Sequence, residues 1–210
     1  MLTLEKEFEM LDQRKTNQAI EVARRNWENW KKVYEHNGSK NTNPVLDDQD
    51  IFNKFCIEYS VVRTIRSGTR ENLRKKLQGL SNLEQILKDD TGKELDALEK
   101  SCRKAFSSKG ANGKLISFFS KVAAFLRPEK FIAYDQYAKK GLRKIFNKNY
   151  KFQNYADYIA LVNEFWVREQ EELKTVVKSA KSSNSETNPE FLMRVLDVYL
   201  MDVGGRKWQK

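Results

Sequence analysis

The segment Lys109–Leu142, KGANGKLISFFSKVAAFLRPEKFIAYDQYAKKGL, contains the pattern that decides the fold. A turn with two glycines precedes a stretch that is apolar on nearly every side of a helical projection. Such a stretch indicates a buried helix, here over about 114–126. Pro128 ends this helix because proline removes a helical hydrogen bond and fixes φ. Asp135 then opens a basic helix that we expect to run to about Asn147.

The rest of the chain repeats apolar residues at intervals of three and four, the period of amphipathic helices. Alternating strand patterns are scarce. The sequence therefore predicts an all-α fold of about eight helices, in one domain over 1–210 or in two helical lobes. The other predicted helices cover 4–34, a segment through 51–65 capped by Asp47 or Asp48, a segment capped by Thr69, and 81–88, 93–106, 156–180 and 191–203.

Composition limits the classes of function. The chain has 39 Lys and Arg against 29 Asp and Glu, a net charge of +10, which favours a polyanionic partner such as DNA or RNA, although it can also serve solubility alone. Two cysteines and one histidine exclude a four-cysteine zinc or iron–sulfur site and a histidine cluster. We therefore expect no metal and no cofactor. Without a long apolar run, we expect a cytoplasmic monomer that has no membrane partner.

The glycine turn has two interpretations. Gly110, Asn112 and Gly113 can expose successive backbone N–H groups at a helix start, where phosphate binds well, and Lys114 adds a positive charge. The alternative is a simple connector in which glycine ends the preceding helix. The following helix has one polar strip, which also has two interpretations and consists of Lys114, Ser117, Ser120 and Lys121. Its lysines either form ion pairs at the edge of the core or face a water-filled cleft.

Asp135 by itself fits an ordinary N-cap. The residues around it, however, resemble the helix-hairpin-helix DNA glycosylases. Those enzymes have a glycine-rich hairpin, an apolar helix and a short apolar approach to a catalytic aspartate that opens the next helix. Phe131–Asp135 is similar to that approach, and Lys140 follows at the position where the family often has arginine. The resemblance covers about 109–142, without the family's Gly-x-Gly spacing or its preceding Leu-Pro.

The resemblance implies a helix-hairpin-helix glycosylase-like fold, two lobes around a cleft, double-stranded DNA as the partner and a hydrolase activity. Asp135 would be the catalytic carboxylate, and the base pocket would contain Tyr134, Tyr137 and Ser117. DNA backbone contacts would come from the hairpin and from Lys139 and Lys140. Ser117 stands where the family's hairpin lysine, when present, would fall, with Lys114 and Lys121 on either side of that position. This spacing implies a monofunctional enzyme, with both lysines as weaker catalytic candidates.

A second basic element lies at a predicted helix junction. Arg63, Arg66 and Arg70 surround Ser-Gly-Thr at 67–69, a combination of guanidinium forks and hydroxyl donors that suits phosphate. Its alternative is a solvated helix end whose cations complement the helix dipole.

Three functions remain open from the sequence. The first is excision of a damaged or modified base, in repair or in defence against phage DNA. The second is non-enzymatic binding of nucleic acid, and the third is a helical protein–protein adaptor. An enzyme requires Asp135 beside a cleft with room for a base. A binder requires only a basic face, and an adaptor requires an exposed apolar patch.

Overall fold

The computed structural model describes residues 11–36, 44–59, 61, 65–106, 115–147, 149–180 and 187–208. Within these ranges it contains ten helices and no strand, which confirms the all-α prediction. In the same ranges, no helix has the length and hydropathy needed to cross a membrane. The helices are α1 Gln13–His36, α2 Pro44–Asp47, α3 Gln49–Glu58, α4 Ser67–Gln78, α5 Leu83–Ile86, α6 Lys93–Phe106, α7 Ile116–Leu126, α8 Gln136–Ile145, α9 Tyr155–Ser179 and α10 Pro189–Val203.

The helix starts agree with the predicted caps in all but one place. Asp48 caps α3 by accepting hydrogen bonds from the backbone N–H groups of Asp50 and Ile51. Thr69, predicted as a cap, instead lies buried inside α4, and Arg66 occupies the N-cap position without a side-chain cap bond. The prediction for Thr69 was wrong because α4 begins two residues earlier, at Ser67, which makes Thr69 the third residue of the helix.

The apolar helix α7 is buried as expected, with eight of its eleven residues in the core. Phe125 makes edge contacts with Trp30 of α1 and with Phe55 of α3, at ring-centroid distances of 4.9 and 5.4 Å. The C-terminal helix α10 is equally deep, with eleven of fifteen residues buried. Burial of both helices therefore provides a substantial part of the hydrophobic stabilisation.

The segment between α7 and α8, residues 131–135, has no regular secondary structure and is held by side chains that bind its backbone. Ser120 Oγ accepts a hydrogen bond from the Tyr134 N–H at 2.9 Å. The hydroxyls of Tyr155 and Tyr158 donate to the carbonyls of Ile132 and Ala133, at 2.8 and 3.1 Å. Because Phe131–Tyr134 are buried, these bonds satisfy polar groups that water cannot reach. They therefore fix the position at which Asp135 emerges.

Replacing Ser120 by alanine should lower the free energy of unfolding by about 1–3 kcal/mol, because the buried N–H of Tyr134 loses its acceptor. The measurement is equilibrium urea denaturation. Ser117→Ala on the same helix is the control, since the Ser117 side chain is only half-buried and should lose much less stability. Equal stability of Ser120→Ala and wild type would mean that the hydroxyl does not hold this segment.

Helices α8 and α10 approach each other so closely that their backbones touch. A Cβ atom on Gly141 would lie 2.0 Å from the carbonyl oxygen of Leu200, and one on Gly204 would lie 1.9 Å from that of Tyr137. Both distances are far below van der Waals contact, so only glycine fits at either position. This contact brings the start of α8, where Asp135 lies, next to α10 and the residues that follow it.

Candidate functional site

A cavity of about 1030 Å³ opens beside the start of α8. Its walls come from the end of α3, one side of α7, residues 133–137, the face of α10 that carries Arg194, Asp197 and Met201, and residues 205–208. This volume lies at the upper end of the roughly 300–1,000 Å³ typical of small-molecule sites. There is accordingly room for a ligand as large as a nucleotide.

Six of the fourteen residues predicted for the site line this cavity. Those that line it are Ser117, Lys121, Tyr134, Asp135, Tyr137 and Lys139. Lys140 is exposed on α8, with its Nζ 5.6 Å from the centre of the Tyr137 ring.

The predicted phosphate-binding elements do not join the cavity in the part of the chain that is described. The hairpin residues Gly110, Asn112, Gly113 and Lys114, and also Arg63, lie outside the described residues. Arg66 is exposed at the start of α4. Arg70 donates a hydrogen bond from Nη1 to the carbonyl of Ile65 at 2.7 Å. This bond stabilises the turn that leads into α4.

Asp135 combines a structural bond with a position on the cavity wall. Its Oδ1 accepts a hydrogen bond from the backbone N–H of Tyr137 at 2.7 Å, which caps α8. Its own N–H donates to the carbonyl of Ala133 at 2.8 Å. Together with the bonds that hold residues 132–134, the cap gives the carboxylate a fixed orientation. The negative charge also lies at the positive end of the α8 dipole.

Lys121 faces the same cavity from α7. Its Nζ donates a hydrogen bond to the carbonyl of Tyr59 at 2.7 Å, across from the end of α3. Burial lowers the pKa of the Lys121 ammonium, and the charge of Asp135 partly offsets this effect. The lysine is therefore a cavity residue anchored on a backbone carbonyl.

The two predicted pocket tyrosines differ in exposure. Tyr134 is buried, and the Nζ of Lys139 lies 3.9 Å from the centre of its ring, a cation–π contact. Its ring also packs edge-on against Tyr158 at 5.2 Å. Tyr137 is half-buried, which makes it the more accessible of the two rings for stacking with a planar ligand.

Asp197 is the most unusual residue of the site, and sequence reasoning missed it. Its side chain is only 3% exposed, and its Oδ2 accepts a 2.5 Å hydrogen bond from Arg194 Nη1. Its Oδ1 is buried and has no hydrogen-bond partner among the described residues. The signal available in the sequence was an Arg and an Asp three residues apart in the otherwise apolar run 191–201, FLMRVLDVYLM.

Burial raises the pKa of the Asp197 carboxyl from 3.8 to about 6, although Arg194 opposes the shift. The folded protein holds this proton more tightly than the unfolded chain does. The contribution of Asp197 to stability therefore falls as the pH rises from 3.8 to about 6. A buried acid that costs stability at neutral pH is a candidate for a functional role.

The charge around the cavity is mixed but cationic overall. Five cationic side chains line it against the three carboxylates of Glu58, Asp135 and Asp197. Two of the cations, Arg206 and Lys207, follow α10, and the Arg206 guanidinium lies 4.5 Å from the centre of the Trp208 ring. This excess of positive charge attracts a negatively charged ligand, and the carboxylates remain on the cavity wall, where they can contact it.

Metal and thiol chemistry find no support in the described ranges. No group of three or more His, Cys, Asp or Glu residues there could hold a metal ion. Cys56 and Cys102 are buried free thiols, and burial raises the pKa of Cys56 to about 11. A thiol with such a high pKa is inert at neutral pH.

Large apolar side chains are exposed at only two of the described positions, Ile57 on α3 and Val167 on α9. Single exposed residues of this kind are ordinary and do not form the patch that an adaptor needs. The cavity is therefore the best candidate for a functional site.

In comparisons with known proteins, no family model, no curated protein and no solved structure matches this chain.

Proposed function

We propose that this protein is a DNA glycosylase that removes a damaged or modified base from double-stranded DNA. The observation that carries the proposal is the position of Asp135. It is a carboxylate oriented by a helix cap, on the wall of a cavity large enough for an extruded base. The cations around the cavity favour the approach of DNA phosphates.

The chemistry needs few groups. The target nucleotide leaves the base stack, at a cost of a few kcal/mol, and enters the cavity. The carbon–nitrogen bond then breaks, and its electron pair leaves with the base. Asp135 stabilises the positive charge that develops on the deoxyribose, and it orients the water that adds to C1′. The proton that this water releases neutralises the departing base anion. Tyr137 is available to stack on the base.

The proposal includes a helix-hairpin-helix fold of two lobes, in which the turn at 110–113 binds the DNA backbone. It also includes a monofunctional mechanism. Lys121 donates a hydrogen bond to the Tyr59 carbonyl, which supports a positioning role rather than attack on the sugar. Replacements of Lys114 and Lys121 should then affect binding or stability more than chemistry.

The direct test is incubation of the protein with duplexes that each carry one damaged or modified base, followed by alkaline cleavage of abasic sites. The panel should include bases found in phage DNA, because repair and defence differ in the base that is removed. Strand cleavage without alkali would indicate a lyase step and would contradict the monofunctional mechanism. No abasic sites on any duplex would leave the second candidate, non-enzymatic nucleic-acid binding. The ordinary cap bond of Asp135 is compatible with that candidate.

DNA affinity should depend steeply on salt, and lysines near the cavity should carry part of this dependence. Replacing Lys140 and Lys207, both exposed, by alanine should lower the slope of log K against log salt by about 0.9 for each phosphate that the protein no longer neutralises. Fluorescence anisotropy with a labelled duplex measures the slope. The control is Lys75→Ala with Lys178→Ala, which removes the same charge from exposed positions outside the cavity. Equal slopes for the two double variants would show that the cavity side is not the DNA-binding face.

A further inference from the structure

We propose that Arg206 binds the backbone phosphate of the nucleotide that occupies the cavity, so that the site recognises nucleotides in preference to bases and nucleosides. The inference rests on the proposed function, since it takes a nucleotide of DNA as the occupant. It adds a phosphate-binding residue on the cavity wall itself, and it makes no claim about the chemical step.

The backbone that carries Arg206 is fixed by the way in which α10 ends. The N–H of Gly205 donates to the carbonyl of Asp202 at 2.8 Å, and the N–H of Arg206 donates to that of Met201 at 3.0 Å. These two bonds and the φ of +90° at Gly205 form a Schellman motif, which favours glycine at this position. The motif turns the chain back, and residues 205–208 then line the cavity.

The side chain of Arg206 is held by two uncharged groups. Its Nη1 lies 3.0 Å from Met201 Sδ, a weak hydrogen-bond acceptor, and its guanidinium lies 4.5 Å from the centre of the Trp208 ring. Trp208 in turn packs against the hydrophobic core. These contacts orient the guanidinium and leave most of its N–H donors without an oxygen acceptor in the described part of the chain.

The carboxylates of the cavity wall have other partners. Asp197 accepts a hydrogen bond from Arg194, Glu58 accepts one from an indole N–H of α1, and Asp135 caps α8. Within the described ranges, none of the three forms an ion pair with Arg206. The charge of this guanidinium is therefore available to a ligand.

Lys121 shows that the charge of Arg206 acts inside the cavity. Burial lowers the pKa of the Lys121 ammonium, and the positive charge of Arg206 lowers it further, while Asp135 opposes both effects. The hydrogen bond of Lys121 goes to the carbonyl of Tyr59, which is neutral. An anion bound beside Arg206 would offset the repulsion between the two cations.

Phosphate is the anion that a nucleotide brings to this wall. The planar fork of a guanidinium matches two phosphate oxygens, and a fork that is already oriented loses little freedom when it binds. Asp135 and Arg206 belong to different walls of the cavity, so the sugar can contact one while its phosphate contacts the other. A free base or nucleoside lacks this anchor and should bind weakly.

The test measures binding of small ligands and needs no catalysis. Saturation-transfer NMR at pH 7.5 compares the four deoxynucleosides with their 5′-phosphate methyl esters, in which the phosphate is a diester as it is in DNA. At least one ester should bind about tenfold or more tightly than its parent nucleoside, as a charge-assisted bidentate contact requires. Dimethyl phosphate, which carries the same charge without a nucleoside, should bind more weakly than that ester.

Replacing Arg206 should remove only the contribution of the phosphate. Arg206→Ala should weaken ester binding about tenfold or more and leave nucleoside binding unchanged. Arg206→Gln keeps much of the side chain that lies against Trp208 and should give the same loss, which separates the lost charge from a defect in folding. The matched control is Arg66→Ala, which removes the same charge from an exposed position outside the cavity and should not weaken ester binding.

Four results would overturn the inference. They are equal affinity for ester and nucleoside, dimethyl phosphate binding as tightly as the esters, no binding of any ester, and equal losses in Arg206→Ala and Arg66→Ala. Ester binding that depends on Arg206, without excision from any duplex, would instead sustain the inference and overturn the proposed function.

Discussion

Asparagine in place of Asp135 is expected to slow base excision by about 10²-fold or more, because the carboxylate charge that stabilises the developing positive sugar is lost. The amide oxygen of asparagine can still accept the N–H of Tyr137, and asparagine is as good an N-cap as aspartate. The fold should therefore survive, so the loss can be assigned to charge. The measurement is single-turnover excision on whichever duplex proves active.

The matched control for this experiment is Asp48→Asn. Asp48 is also an N-cap aspartate, at the start of α3, and does not line the cavity. It should leave excision unchanged. If Asp135→Asn is folded and excises at the wild-type rate, then Asp135 is only a helix cap and the main support for an enzyme disappears.

Gly141→Ala should lower the free energy of unfolding by about 3 kcal/mol, at the upper end of the usual cost of overpacking. The added methyl would lie 2.0 Å from the carbonyl oxygen of Leu200. This atom belongs to the backbone of a buried helix, so it cannot move aside without shifting α10. Equilibrium urea denaturation gives the change in stability.

Gly68→Ala provides the opposite expectation within the same chain. Gly68 lies in α4, and a Cβ added there would meet nothing within 4 Å, so alanine should raise stability by about 0.5–1 kcal/mol through helix propensity. If both variants changed stability in the same direction and to the same extent, close packing between α8 and α10 would not be the reason for glycine at 141.

The sequence was sufficient to predict most of the helices and part of the candidate site, because both depend on local signals. The apolar period of α7, Pro128 and the cap at Asp135 each act over a few residues. Asp197 and Arg206 lie far along the chain and join Asp135 only through the contact of α8 with α10. Helical periodicity shows which face of a helix is buried, but not which other helix covers it, so these residues could not be assigned.

The hydroxyls of Ser120, Tyr155 and Tyr158 bind the backbone of residues 132–134, and not their side chains. Main-chain groups are the same whatever amino acid is present. The anchoring of this segment therefore depends on Ser120, Tyr155 and Tyr158, and not on which amino acids stand at 132–134. Loss of one of these distant hydroxyls, more than a change within the segment, would let Asp135 shift on the cavity wall.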